Sequence, residues 1–251
     1  MPFGSYIVTL EEEGRLQLWK WDQGKQPAIH KSIINSDPVE KAFFSPDGNY
    51  LAIEYKSSKV EVRREGTAFA EPEDNFLKFN NVSSFAFSFN DEYLAVAKDS
   101  LGQKSNIKLT NLLTGKETTF NTESKLSKLV SGQLGEFKAN NILFLPIDNK
   151  VQLVATAEKD NTIRFWDLSG RLLAELESNY GKVIGLDYSN QGNETYLLAL
   201  EKNIKGEAKI QYWNINQELD PEILMDEACT KLKKNSRIID DTYKISRLCP
   251  Q

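Results

Sequence analysis

Apolar and polar positions alternate with a period of two along most of the chain, the pattern of strands that bury one face. The clearest stretch runs from Asn161 to Gly170. There Ile163 and Phe165 alternate with Thr162 and Arg164, Trp166-Asp167 follow, and Ser169-Gly170 supplies a turn. Weaker copies recur elsewhere. Small-residue strands stand at Tyr6-Ile-Val-Thr-Leu10, Tyr50-Leu-Ala-Ile53, Tyr93-Leu-Ala-Val96, Leu153-Val-Ala-Thr156 and Leu197-Leu-Ala-Leu200. With Val8, Ala52, Ala95, Ala155 and Ala199 aligned, the separations are 44, 43, 60 and 44 residues.

A second strand follows each of these: Leu16-Gln-Leu-Trp19, Val60-Glu-Val-Arg63, Ile107-Lys-Leu-Thr110, Ile163-Arg-Phe-Trp166 and Ile210-Gln-Tyr-Trp213. Four of the five are also preceded by a strand and turn, beginning at Val39, Val82, Asn141 and Val183. Three or four strands every ~44 residues is the period of a β-propeller blade. The pattern therefore predicts an all-β propeller over residues 1–219, with about five blades near 1–35, 39–79, 82–120, 139–177 and 183–219.

Local chemistry supports the blade limits. Ser45-Pro-Asp-Gly48 is a turn in which Pro46 presets φ and Gly48 takes the strained position. Phe76 to Phe79 is expected as an outer strand after the polar loop Glu71 to Asn75, and Ala28 to Ile34 as another. The 60-residue separation exceeds 44 by 16 residues, an insertion around Ser124 to Asn140. Leu126, Leu129, Val130 and Leu134 are spaced there as in a short helix. The insertion reads as a loop capping a blade, with a partner-binding loop as the second reading. No inner strand precedes Tyr6 and no outer strand follows Trp213-Asn-Ile215, so the expectation is an incomplete ring, the C-terminal part of a larger propeller. Open edges and faces would invite self-association.

Residues 220–251 read as a short helical tail. Asp220 is a good N-cap and Pro221 fits the first helical position. Acidic residues come early and Lys231, Lys233 and Lys234 late, while Leu224, Ala228 and Leu232 share one face.

The motifs Val39-x-x-Ala-Phe-Phe-Ser-Pro-Asp-Gly48, Tyr-Leu-Ala and Thr162-Ile-Arg-Phe-Trp-Asp167 resemble the WD-repeat family, read in blade order. The resemblance covers roughly residues 5 to 219 and is degenerate outside the fourth repeat and the front of the second. The Trp-Asp pair becomes Trp19-Lys20, Arg63-Arg64, Thr110-Asn111 and Trp213-Asn214 in the other copies. The family's Gly-His pair is missing, because the only histidine, His30, lies outside that position. Its hydrogen-bond network with Trp and Asp therefore cannot form here. The tail is similar to the segment after the last blade in WD-repeat halves of large bacterial multidomain proteins. The resemblance implies an interaction scaffold, the sensor or recognition part of a larger or split protein of that kind.

Composition narrows the function classes. Forty per cent apolar residues is globular, and a net charge of −5 leaves no basic footprint for nucleic acid or anionic membrane. No apolar run approaches the ~20 residues of a membrane span, and the N-terminus lacks the basic and apolar regions of a signal peptide. Two cysteines, Cys229 and Cys249, are too few for a disulfide scaffold and suit a reduced, cytoplasmic setting; with no histidine beside them they fall short of a zinc site. Gly24-Lys25, Gly115-Lys116 and Gly181-Lys182 lack the rest of a phosphate loop. Glu11-Glu-Glu13 and Glu158-Lys-Asp160 are expected on solvated hairpin turns, and Trp166 in blade packing.

No catalytic, cofactor-binding or metal-ligating residue is therefore assigned, and no cofactor. The sequence is read as a non-catalytic protein-binding scaffold with protein partners and no nucleic-acid or membrane partner. An enzyme or small-ligand binder working at the mouth of a propeller channel is the alternative, which the fold alone does not separate from it.

Overall fold

The computed structural model describes residues 6–21, 26–33, 37–64, 76–98, 106–120, 139–146, 152–158, 161–178 and 180–218. The chain is all-β, in five consecutive antiparallel sheets. The first holds β1 (Tyr6–Leu10), β2 (Leu16–Lys20) and β3 (Ala28–Ile33). The second holds β4 (Val39–Phe44), β5 (Tyr50–Tyr55), β6 (Val60–Arg64) and β7 (Phe76–Phe79). The third holds β8 (Val82–Phe87), β9 (Tyr93–Lys98), β10 (Asn106–Asn111) and β11 (Glu117–Thr119). The fourth holds β12 (Ala139–Pro146), β13 (Gln152–Glu158), β14 (Thr162–Trp166) and β15 (Leu172–Glu177), and the fifth β16 (Lys182–Gln191), β17 (Glu194–Lys202) and β18 (Ala208–Asn214). Each strand pairs with its neighbour in the chain, the meander of a propeller blade.

The sheets stack face to face. Each has a back face toward its predecessor and a front face toward its successor, and four apolar cores fill the spaces between them. Leu16 and Leu18 of the first sheet meet Leu51, Ile53 and Tyr55 of the second. Ala52, Val60 and Val62 meet Phe87, Leu94 and Val96 of the third. Ala95, Ile107, Leu109 and Phe120 meet Phe144, Val154 and Trp166 of the fourth. Ala155, Ala157, Ile163 and Phe165 meet Val183, Leu197 and Ala199 of the fifth. Among the described residues none of the four cores joins the first sheet to the fifth. Alanine recurs on the second strands, where a short side chain lets the sheets pack closely.

The alternation seen in the sequence is thus two buried faces in the three central sheets: β5, β9 and β13 are buried on almost every residue. Inner strands lie side by side. Ile142 N donates to Ser84 Oγ at 3.1 Å, joining β12 to β8, and Asn141 Nδ2 donates to the Ile184 carbonyl at 3.1 Å, joining β12 to β16. Phe89 of the third sheet reaches Tyr188 of the fifth, ring centroids 5.4 Å apart.

Turns between the sheets are tight. Gly14 has φ +75°, and a Cβ there would lie 2.6 Å from Pro38 Cβ of the next sheet. Its carbonyl accepts from Val39 N at 3.1 Å, so the contact that only glycine fits also begins the second sheet. Between the second and third sheets, the buried Asp91 carboxylate accepts from Ser45 Oγ at 2.5 Å, Asn49 N at 3.1 Å and Asp47 N at 3.3 Å. That is the Ser45-Pro-Asp-Gly48 turn, closed by Gly48 N to the Ser45 carbonyl at 2.9 Å.

Among the described residues the end sheets have three strands rather than four. The hairpin of β1 and β2 pairs as β5 and β6 do, so the first sheet begins at the position of a second strand. In the fifth sheet a single helical turn, Ile215–Glu218, follows β18 and packs Ile215 into the core. One expectation is corrected. The sequence alignment matches Ala199 to Ala155, but Trp166 pairs with Val154 while Trp213 pairs with Leu197, so the residue equivalent to Ala155 is Leu198. A small side chain is a weaker marker of register than the face it occupies. The expected helical tail, with Cys229 and Cys249, and residues 121–138 of the insertion lie outside the described residues.

Candidate interaction surfaces

The back faces of the second to fifth sheets carry buried polar groups beside their apolar side chains. In the fourth sheet the Trp166 indole N–H donates to Thr156 Oγ1 at 3.0 Å, and Thr156 Oγ1 donates to Glu158 Oε1 at 2.9 Å. All three residues are fully buried. A buried indole N–H needs an acceptor, which is why tryptophan here is matched by threonine on the paired strand. In the second sheet Arg63 takes the tryptophan position and binds Glu61 at 2.9 Å, while Tyr55 Oη donates to Glu61 at 3.1 Å and Lys59 lies 2.7 Å from it. Burial alone would raise the Glu61 carboxyl. The hydrogen bonds and charges of Lys59 and Arg63 outweigh burial and hold it below the usual carboxylate range.

Glu158 corrects another expectation. The sequence places it on a solvated turn, yet it is buried at the seam between sheets, and so is Glu201 at the equivalent position of the fifth sheet. Lys159 and Asp160 lie outside the described residues. Glu11 to Glu13 do form a turn, between β1 and β2, where Arg15 lies 3.4 Å from Glu11 and 3.5 Å from Glu13. Asp167 organises the turn after β14: it accepts from Ser169 N, Ser169 Oγ and Arg171 N at 2.6–3.0 Å and pairs with Arg171 Nε at 3.0 Å. His30 lies on β3. Among the described residues no three metal-ligating side chains converge.

The first sheet repeats the fourth on its back face. Trp19 donates to Thr9 Oγ1 at 2.9 Å, Ile7 pairs with Trp19 as Val154 pairs with Trp166, and Gln17 Nε2 donates to Glu11. Here, though, no sheet lies behind among the described residues: Ile7 is 39 % exposed and Ile29, paired with Trp19 on β3, is 55 % exposed.

The fifth sheet does the same on its front face. Leu198 pairs with Tyr212 and Leu200 with Ile210, the positions that Ala155, Phe165, Ala157 and Ile163 hold in the fourth sheet. Those four are fully buried, whereas Ile210 is 65 % and Tyr212 68 % exposed, and Tyr196 packs edge-on against Tyr212 at 6.4 Å. Both surfaces expose large apolar side chains at positions that are buried in the fourth sheet, and exposed apolar patches mark contact sites. The sequence signal for them was the repeat itself; exposure depends on which sheets have neighbours. No protein-family model matches the chain, and no curated protein does.

Proposed function

We propose that this chain is a non-catalytic protein–protein interaction scaffold, a degenerate WD-repeat propeller serving as the recognition part of a larger or split bacterial multidomain protein. The carrying observation is the pair of open faces: apolar side chains that are sealed between sheets in the middle of the chain stand uncovered at both ends. An aromatic and aliphatic patch of that kind favours a protein partner, since burial of apolar area is the main driving force of association. A net charge of −5 disfavours nucleic acid and anionic membrane as partners. The cytoplasm suits a chain with two cysteines.

Affinity capture of the tagged full chain from its native host tests this reading. The chain should retain a polypeptide in fixed stoichiometry, another protein or further copies of itself, through a high-salt wash that strips charge-driven contacts. Recovery of a bare chain would sink it.

A further inference from the structure

We infer that the two open faces are complementary and that the front face of the fifth sheet takes the back face of the first sheet of a second copy, building a head-to-tail assembly. The inference rests on the scaffold reading and names the partner at those faces.

In the seam of the first with the second sheet and in that of the third with the fourth, a front face of hairpin aliphatics meets a back face with a hydrogen-bonded polar string, Tyr55–Glu61–Arg63 in one and Trp166–Thr156–Glu158 in the other. The fifth sheet presents the first kind of face, through Leu198, Leu200, Ile210 and Tyr212. The first sheet presents the second kind, through Ile7, the Trp19–Thr9 bond and the Gln17–Glu11 bond. Such a bond satisfies an indole that is to be buried; an indole left in water has no need of it. The first sheet is thus organised for the cover that the fourth sheet receives from the third.

The two faces belong to one chain but are exposed, so each finds its complement on another copy. A contact of two different surfaces is heterologous and propagates until a ring closes.

Complementation of blocked variants tests this. Trp19→Glu blocks only the first sheet's face, and Ile210→Lys with Tyr212→Glu blocks only the fifth's. The wild-type full chain should form concentration-dependent oligomers by size exclusion with light scattering. Each variant alone should run as a monomer with a cooperative melt, and their mixture should give a 1:1 pair and nothing larger. If a variant fails to melt cooperatively, Ile7→Lys and Leu200→Lys replace the pair. A monomeric wild type, variants that still associate, or a mixture that stays monomeric overturns the inference. A chain that is monomeric alone but captures a different polypeptide overturns the self-assembly and leaves the scaffold standing; one that captures nothing sinks both.

Discussion

Trp166 and Trp19 hold the same position in the repeat, the first sealed between the third and fourth sheets and the second at the open end of the stack. Their truncation should therefore differ in effect. Trp166→Ala removes a fully buried indole and leaves a cavity against Phe120, whose ring lies 5.3 Å away, so it should cost about 3–5 kcal/mol. Trp19→Ala, with little packing behind it, should cost about 1 kcal/mol or less in the monomer. Urea unfolding of both variants checks the contrast. Equal losses would mean that the first sheet's back face is already covered within the chain.

Asp91 ties the third sheet to the turn of the second through Ser45 Oγ, Asp47 N and Asn49 N. Asp91→Ala leaves the buried Ser45 hydroxyl and the part-buried N–H groups of Asp47 and Asn49 without this acceptor and should lower stability by about 1–3 kcal/mol. Ser45→Ala, which removes one donor and keeps the two backbone bonds, should cost less. Thermal melts that rank the two in the opposite order would contradict the clamp.

Glycine substitutions separate backbone strain from contact. Gly115 has φ +71° with open space around it, so Gly115→Ala should cost about 1–2 kcal/mol, the strain of the left-handed conformation alone. Gly170 has φ +82° and a Cβ there would meet the Thr119 carbonyl at 2.9 Å and Phe120 at 3.2 Å. Gly170→Ala should therefore be clearly worse than Gly115→Ala in the same denaturant assay.

Glu61 gives the pH dependence. Its folded carboxyl is held low despite burial, by Lys59 and Arg63, so it stabilises the fold above the unfolded carboxylate range and loses that contribution as pH falls through its folded value. Glu61→Gln should destabilise by about 1–3 kcal/mol at neutral pH. The gap from wild type should close on acidification, as melts across the acidic range would show. A gap independent of pH would mean that shape rather than charge holds Glu61 in place.

Much of this architecture was legible in the residues. Period-two alternation gave the strands, and the spacing of Ala52, Ala95 and Ala155 gave the order of sheets, because both follow from contacts within one repeat. What depends on a neighbouring sheet was not. Glu158 looks like a turn acid until the seam with the third sheet buries it, and nothing local announces that Asp91 grips a turn more than 40 residues earlier. The one-residue error at Ala199 has the same origin: the alignment matched side-chain size, whereas the fold matched the face. The open faces were invisible for a related reason, since Phe165 and Tyr212 read alike in sequence and only the stack decides which is covered.

Covalent footprinting tests the central claim, two uncovered propeller faces that engage protein, most directly. Hydroxyl-radical labelling of the dilute chain, read by mass spectrometry, should modify Trp19 and Tyr212 readily while Trp166 stays protected. In the assembled state Trp19 and Tyr212 should become protected together. Trp19 as protected as Trp166 at high dilution, or labelling of Trp19 and Tyr212 unchanged on assembly, would contradict the account.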